Sequence, residues 1–161
     1  MKNLIIIVLL CFTSSTLAGT YSDSDVDQII AKDVEPDGVV FELMSWDEDT
    51  WTWASPMLTD LSDQLRQKYP DLEIAVVSHG NEMFDLTKNN SQFHQPAVQQ
   101  LAALSEDNVD IHVCGTFSGW RDIETDAYLD FIDVAPSGPA QINSYIQLGY
   151  EHIILRSPNG Y

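Results

Sequence analysis

Cysteine is nearly missing from this 161-residue chain, which holds only Cys11 and Cys114. Cys11 sits in an N-terminal apolar run. A chain that loses this run keeps one thiol and can form no intramolecular disulfide. Basic residues are scarce too: 7 Lys+Arg stand against 25 Asp+Glu, a formal net charge of -18. Tracking phosphates needs clustered Lys and Arg, so this balance speaks against nucleic acid and anionic membranes as partners. The acidic excess reads instead as a solubility device. Beyond the N-terminus no apolar run is long enough to span a bilayer. There is no G-x-S-x-G, P-loop or G-x-G-x-x-G. Cys and His do not show the close paired spacing of a structural zinc site, so neither metal nor cofactor is expected.

The first segment, MKNLIIIVLLCFTSSTLAG, reads as a removed secretory signal. Lys2 supplies the positive start, Leu4 to Phe12 is too short to span, and Thr16-Leu17-Ala18 offers a small-residue cleavage site before Gly19. Leu10 precedes Cys11 where a lipoprotein signal has a small residue. The expected organisation is a signal over 1–18, a flexible acidic arm over 19–36 and one α/β domain over 37–161, in a periplasmic or secreted protein. The acidic stretch SDSDVD (22–27) lacks the central Gly and the distant Glu of a calcium loop and is assigned to the arm.

From Gly38 onward, apolar β-type runs alternate with amphipathic stretches. Strands are expected at Val39 to Met44, Leu72 to Val77, Val109 to Val113, Phe131 to Ala135 and His152 to Leu155. A helix with Pro56 at its first position carries Met57, Leu58, Leu61 and Leu65 on one face. A second begins at Gln95-Pro96. A short helical turn covers Ile123 to Tyr128, and a last helix follows Pro136-Ser137-Gly138-Pro139 and ends at Gly149. This order implies βαβ crossovers and a three-layer α/β/α sandwich with a mainly parallel sheet of about five strands.

Ligands of open parallel sheets bind beyond the carboxyl ends of the strands. There the sequence places Trp46 and Asp47 after the first strand and Ser78, His79, Gly80 and Asn81 after the second. Cys114, Gly115, Thr116 and Ser118 follow the third, with Trp120 and Arg121 just beyond. A thiol attacks as thiolate, and a free pKa of about 8.5 leaves little of it at neutral pH. Arg121, backbone N–H groups after Gly115, and His79 on a neighbouring strand could each favour the anion. Cys114 is thus a reactive group, an intermolecular half-cystine or a packed inert thiol. His112 falls on the same strand face as Cys114 and is expected to pack between helix and sheet. Trp46, Trp51 and Trp53 are expected to pack over the sheet edge or against another subunit.

Three stretches carry a resemblance: IAVVSHGNEMFDL, VDIHVCGTFSGWRDI and DFIDVAPSGPAQINSYIQLGYEHII. In this order, with one strand ending in His-Gly and another in Cys-Gly, the chain resembles the DsrE/DsrF-like sulfur-relay family from about Gly38 to Leu155. The resemblance implies a compact α/β/α fold, homo-oligomers, and a cysteine after the third strand that carries sulfur as a persulfide. Cys114 holds that position. Arg121 roughly matches a basic residue just beyond it, and His79 and Gly80 match a His-Gly pair seen in many members.

The expected function is a thiol-based sulfur carrier or sulfurtransferase-like protein, with Cys114, Arg121 and His79 as chemical groups. Gly80, Asn81, Gly115, Thr116 and Ser118 form its substrate loops. A sulfur donor or acceptor protein, or a small sulfane-sulfur compound, would be the partner. The alternatives are a non-enzymatic oligomeric binding or scaffold protein with an inert cysteine, and a redox partner that forms an intermolecular disulfide.

Overall fold

The computed structural model describes residues 21–158. The signal segment and its cleavage site lie outside the described residues. Five strands form one all-parallel sheet in the order β4-β3-β2-β1-β5: β1 (Gly38–Leu43), β2 (Ile74–Ser78), β3 (Val109–Cys114), β4 (Asp133–Ala135) and β5 (Tyr150–Ile154). The central strands are mostly apolar, broken only by Glu42 on β1, Ser78 at the end of β2 and Asp110 and His112 on β3, because both of their faces are largely covered. The expected α/β class and parallel sheet are therefore observed.

The two covering layers are unequal. On one face lie α1 (Ser24–Ile30), α2 (Thr50–Lys68) and α3 (Gln95–Glu106), which bury Val39, Phe41, Leu43, Ile74 and Val76 with Leu58, Leu61, Leu65 and Leu101. The other face holds α5 (Gly138–Gln147), whose Ile142 and Tyr145 cover Val40, Ala75 and Val77. The remaining helix, α4 (Gly115–Gly119), is a short turn at the carboxyl edge of the sheet.

Two expectations need correction. Part of the acidic arm is structured: Asp23 caps α1 by accepting from the N–H groups of Asp25 and Val26, and Val26 and Ile29 enter the core. The Tyr69 hydroxyl donates to the Lys32 carbonyl at 2.8 Å, and the Tyr21 N–H donates to Asp60 at 2.7 Å, which fasten the segment at both ends. Second, α2 starts at Thr50, so Pro56 is inside the helix. Thr50 Oγ1 donates to the Asp47 carbonyl at 2.7 Å, and the indole of the buried Trp51 donates to the Glu82 carbonyl at 2.7 Å. These anchors start the helix early. Pro56 then removes the bond to the carbonyl of Thr52, an exposed residue in the first turn of the helix.

At the other end of the chain, Gly149 closes α5 as expected. Its φ is +95°, and a Cβ there would stand 2.2 Å from Asp37 Oδ2.

Candidate functional site: a thiol cleft at the carboxyl edge of the sheet

The parallel register of β2 and β3, with Ser78 opposite Val113, carries the residues that follow both strands to the same edge. There Cys114 and His79 line one cleft with a cavity volume of 370 Å³. Thr116 and Ser137 add two hydroxyls to the wall. The remainder is apolar: Met44, Trp46, Phe117, Trp120 and Pro139. No Lys, Arg, Asp or Glu stands among these described lining residues.

Glycine at 138 makes the close approach feasible. A Cβ at that position would meet His79 Cβ at 2.7 Å and Cys114 Cβ at 3.4 Å. The imidazole and the thiol are thus rooted around the first residue of α5. Cys114 is a free thiol at the end of β3, 5% exposed, and is the N-cap residue of α4. The N–H and hydroxyl of Thr116 both donate to the Pro136 carbonyl, at 3.1 and 2.8 Å, which ties the start of α4 to the end of β4. A Cβ on Gly115 would come within 2.9 Å of the Ala135 carbonyl oxygen, so this junction also needs a glycine.

The aromatic wall is built edge to face. Phe117 lies 6.0 Å from Trp46 and 5.9 Å from Trp120, with interplanar angles of 69° and 77°. Trp46 is 64% exposed and Trp120 75% exposed. The three tryptophans grouped in the sequence part company here: Trp51 is core, Trp53 packs against it, and Trp46 faces the cleft.

The other sequence-selected residues stand around this wall. Arg121 donates to Asn81 Oδ1 at 3.1 Å, and its guanidinium lies 5.3 Å from the Phe84 ring centroid and 5.5 Å from that of Phe117. It therefore stacks on a cleft wall without lining the cleft. Ser118 is buried; it donates to the Cys114 carbonyl at 3.0 Å and meets the Tyr128 hydroxyl at 2.7 Å. Gly80 is extended (φ -102°), so close packing and not a left-handed turn requires it: a Cβ would fall 2.4 Å from the Ser45 carbonyl oxygen. His112 packs under α5, with Nε2 2.8 Å from the Tyr145 hydroxyl.

Two carboxylates escaped the sequence reading. Glu82 is buried and accepts from Ser78 Oγ at 2.8 Å, the Ser45 N–H at 2.8 Å and the Gly80 N–H at 3.0 Å. Burial holds its pKa above the ordinary carboxylate value, and these donors oppose that rise. Glu42, on β1, meets His79 Nε2 at 2.8 Å through one oxygen and His152 Nε2 at 2.6 Å through the other. Glu42 is not marked by a short motif, because its partners follow or lie on separate strands; Glu82 lies within SHGNE, where Ser78 and Gly80 stand four and two residues before it.

No curated protein matches the sequence. Among solved structures, the fold is similar to a protein of unknown function, MTH1491 from Methanobacterium thermoautotrophicum. That match has a TM-score of 0.60 and 20% identity over 73% of this chain and 97% of the other. It is also similar to the ychN protein of E. coli, with a TM-score of 0.55 and 12% identity over 74% of this chain and 99% of the other. At these identities the likeness shows the fold. The profile of the DsrE/DsrF-like family, generally sulfur-relay proteins, matches residues 54–155, which span β2 to β5, most of α2 and the cleft lining except Met44 and Trp46. The chain belongs to the DsrE/DsrF-like family.

Proposed function

We propose that this protein is a single-cysteine sulfur carrier in which Cys114 accepts sulfane sulfur as a persulfide. The supporting observation is that Cys114 and His79 share the wall of one cleft at the carboxyl edge of a parallel sheet. The thiolate attacks the outer sulfur of a donor R-S-SH, forming the Cys114 S–S bond and breaking the donor's S–S bond. The donor leaves as R-S⁻ and takes up the proton that the thiol gave away. No external oxidant or reductant is needed. Arg121, one ring away from the cleft, adds a cation behind Phe117.

The cleft wall also suits a donor with a neutral, apolar body. It offers aromatic surface and no cation, in a chain of net charge -18. In this reading the protein is exported, begins at Gly19 and acts as a homo-oligomer. N-terminal sequencing and light scattering of protein recovered from the periplasm check these points.

The test is intact-mass spectrometry after incubation with thiosulfate, polysulfide or an organic persulfide. The protein should gain the mass of one sulfur atom, and Cys114→Ser should gain none. A wild-type chain left unmodified by all three donors refutes the carrier role.

The 5% exposure of Cys114 favours a second reading, a binding or scaffold protein with an inert thiol. Maleimide separates the two. Stoichiometric labelling of Cys114 in the native protein supports the carrier; labelling only after denaturation supports the scaffold.

A further inference from the structure

We propose that Glu42 is a positioning residue for His79, fixing its tautomer and stabilising its cationic form so that it can take the proton of Cys114, and that His152 tempers this by competing for the same carboxylate. The inference rests on the carrier reading for its purpose, but the geometry behind it is separate.

Both oxygens of Glu42 are engaged by imidazoles, His79 Nε2 at 2.8 Å and His152 Nε2 at 2.6 Å. A carboxylate only accepts, so each ring donates through Nε2–H. His79 is then left with Nδ1 as its basic nitrogen. A proton passed from Cys114 Sγ to His79 Nδ1 through the cleft that both residues line leaves a thiolate and an imidazolium whose Nε2–H already points at a carboxylate. The same arrangement orients the base in other acid-base sites. The side chains of His79 and His152 are 11% and 28% exposed, so the cluster runs from the cleft toward solvent. His152 engages the second oxygen and divides the carboxylate's charge between two rings.

The surroundings leave Glu42 as the nearest counter-charge. Helix α5 carries no charged residue between Gly138 and Gln147, and β2 carries none between Ile74 and Ser78. On β3, Asp110 meets Tyr145, and Asp133 of β4 acts on His112. On β5, Glu151 pairs with Lys32; Arg156, beyond its end, lies in a separate hollow with Met44 and Ser45. Glu82 is occupied by Ser45, Ser78 and Gly80.

The test uses the full chain and neutral iodoacetamide, with modification read by mass spectrometry on the peptide that contains Cys114. Rate against pH reports the thiolate without any sulfur donor, so this test and the carrier test can fail separately. Glu42→Gln should move the midpoint of the profile upward and slow labelling at neutral pH on the order of ten-fold, the scale of a lost charged hydrogen bond. His152→Leu, which removes the competing donor, should shift the midpoint in the opposite direction, because His79 then has the carboxylate to itself. In a His79→Gln background, Glu42→Gln should add nothing. Thermal melts of each variant control for folding. Superimposable profiles for wild type and folded Glu42→Gln overturn the proposal. So does a Cys114 that stays unlabelled in the folded wild type at every pH.

Discussion

The indole N–H of Trp51 donates to the backbone carbonyl of Glu82 at 2.7 Å, joining the first turn of α2 to the loop after β2. Glu82 in turn holds the Ser45 and Gly80 backbone N–H groups through its carboxylate. The cleft residues Trp46 and His79 flank those two backbone groups in sequence. One buried network therefore sets the spacing between two walls of the cleft.

Trp51→Phe keeps most of the apolar volume and removes the donor, leaving a buried carbonyl unpaired. The expected cost is about 1–3 kcal/mol, read as a lower urea midpoint with an unchanged m-value.

Gly138→Ala tests the crowding around the cleft. The added methyl would stand 2.7 Å from His79 Cβ, which cannot swing aside as a flexible chain end can. The start of α5 must shift, at about 1–3 kcal/mol. The variant should fold with a lower melting temperature and label more slowly at Cys114 than wild type.

Stability should also respond to pH through His112. Burial holds its folded pKa below 6.5, against the opposing pull of Asp133 and Asp110. The folded state then binds fewer protons than the unfolded state between that depressed value and 6.5, so stability rises with pH in this window. The contribution is present above 6.5 and is lost as pH falls through the folded value. Glu82 acts in the opposite sense, since its raised pKa favours the folded state as pH falls toward 4.5. Comparing wild type with His112→Gln at pH 7.5 and 5.5 cancels the Glu82 part. The loss of urea midpoint on acidification should be smaller in the variant; equal losses would remove His112 as the cause.

Donor charge should matter more than donor size. A persulfide with an aromatic body, which carries at most one negative charge, should load Cys114 faster than the doubly charged thiosulfate. The thiosulfate rate should rise more steeply with added salt, because screening weakens the stronger repulsion of a dianion from an acidic protein. Replacing Trp46 and Trp120 by Ala should slow the aromatic donor by about 2- to 10-fold per ring, the scale of an aromatic contact. Equal loading rates for both donors at low salt would show that the aromatic wall does not select.

The strands were legible because most are buried on both faces, and mostly apolar runs mark them. Edges were less so. The last strand begins at Tyr150, two residues before the apolar signal, because an edge strand tolerates the half-exposed Tyr150 and Glu151. The fourth begins at Asp133, two residues after it, because Phe131 and Ile132 pack on the core before the chain joins the sheet. The helix at Ser24–Ile30 had a signal that its acidity concealed: Asp23 at a capping position, and Val26 and Ile29 three residues apart. Cys114 and His79 could be placed at one edge from strand order alone. The Glu42–His152 contact joins residues 110 positions apart and depends on β1 pairing with β5, which no local pattern encodes.

The thin layer formed by α5 has a mechanical consequence. Gly138, which packs against the Cβ atoms of His79 and Cys114, begins the same ten-residue helix whose Ile142 and Tyr145 cover this side of the sheet. Sliding or tilting that helix would alter the gap between sulfur and ring while disturbing its own packing. Anything that grips the outward side of α5, including its exposed Ile146 and the Leu148 that follows, would gain leverage over the chemistry at its opposite end.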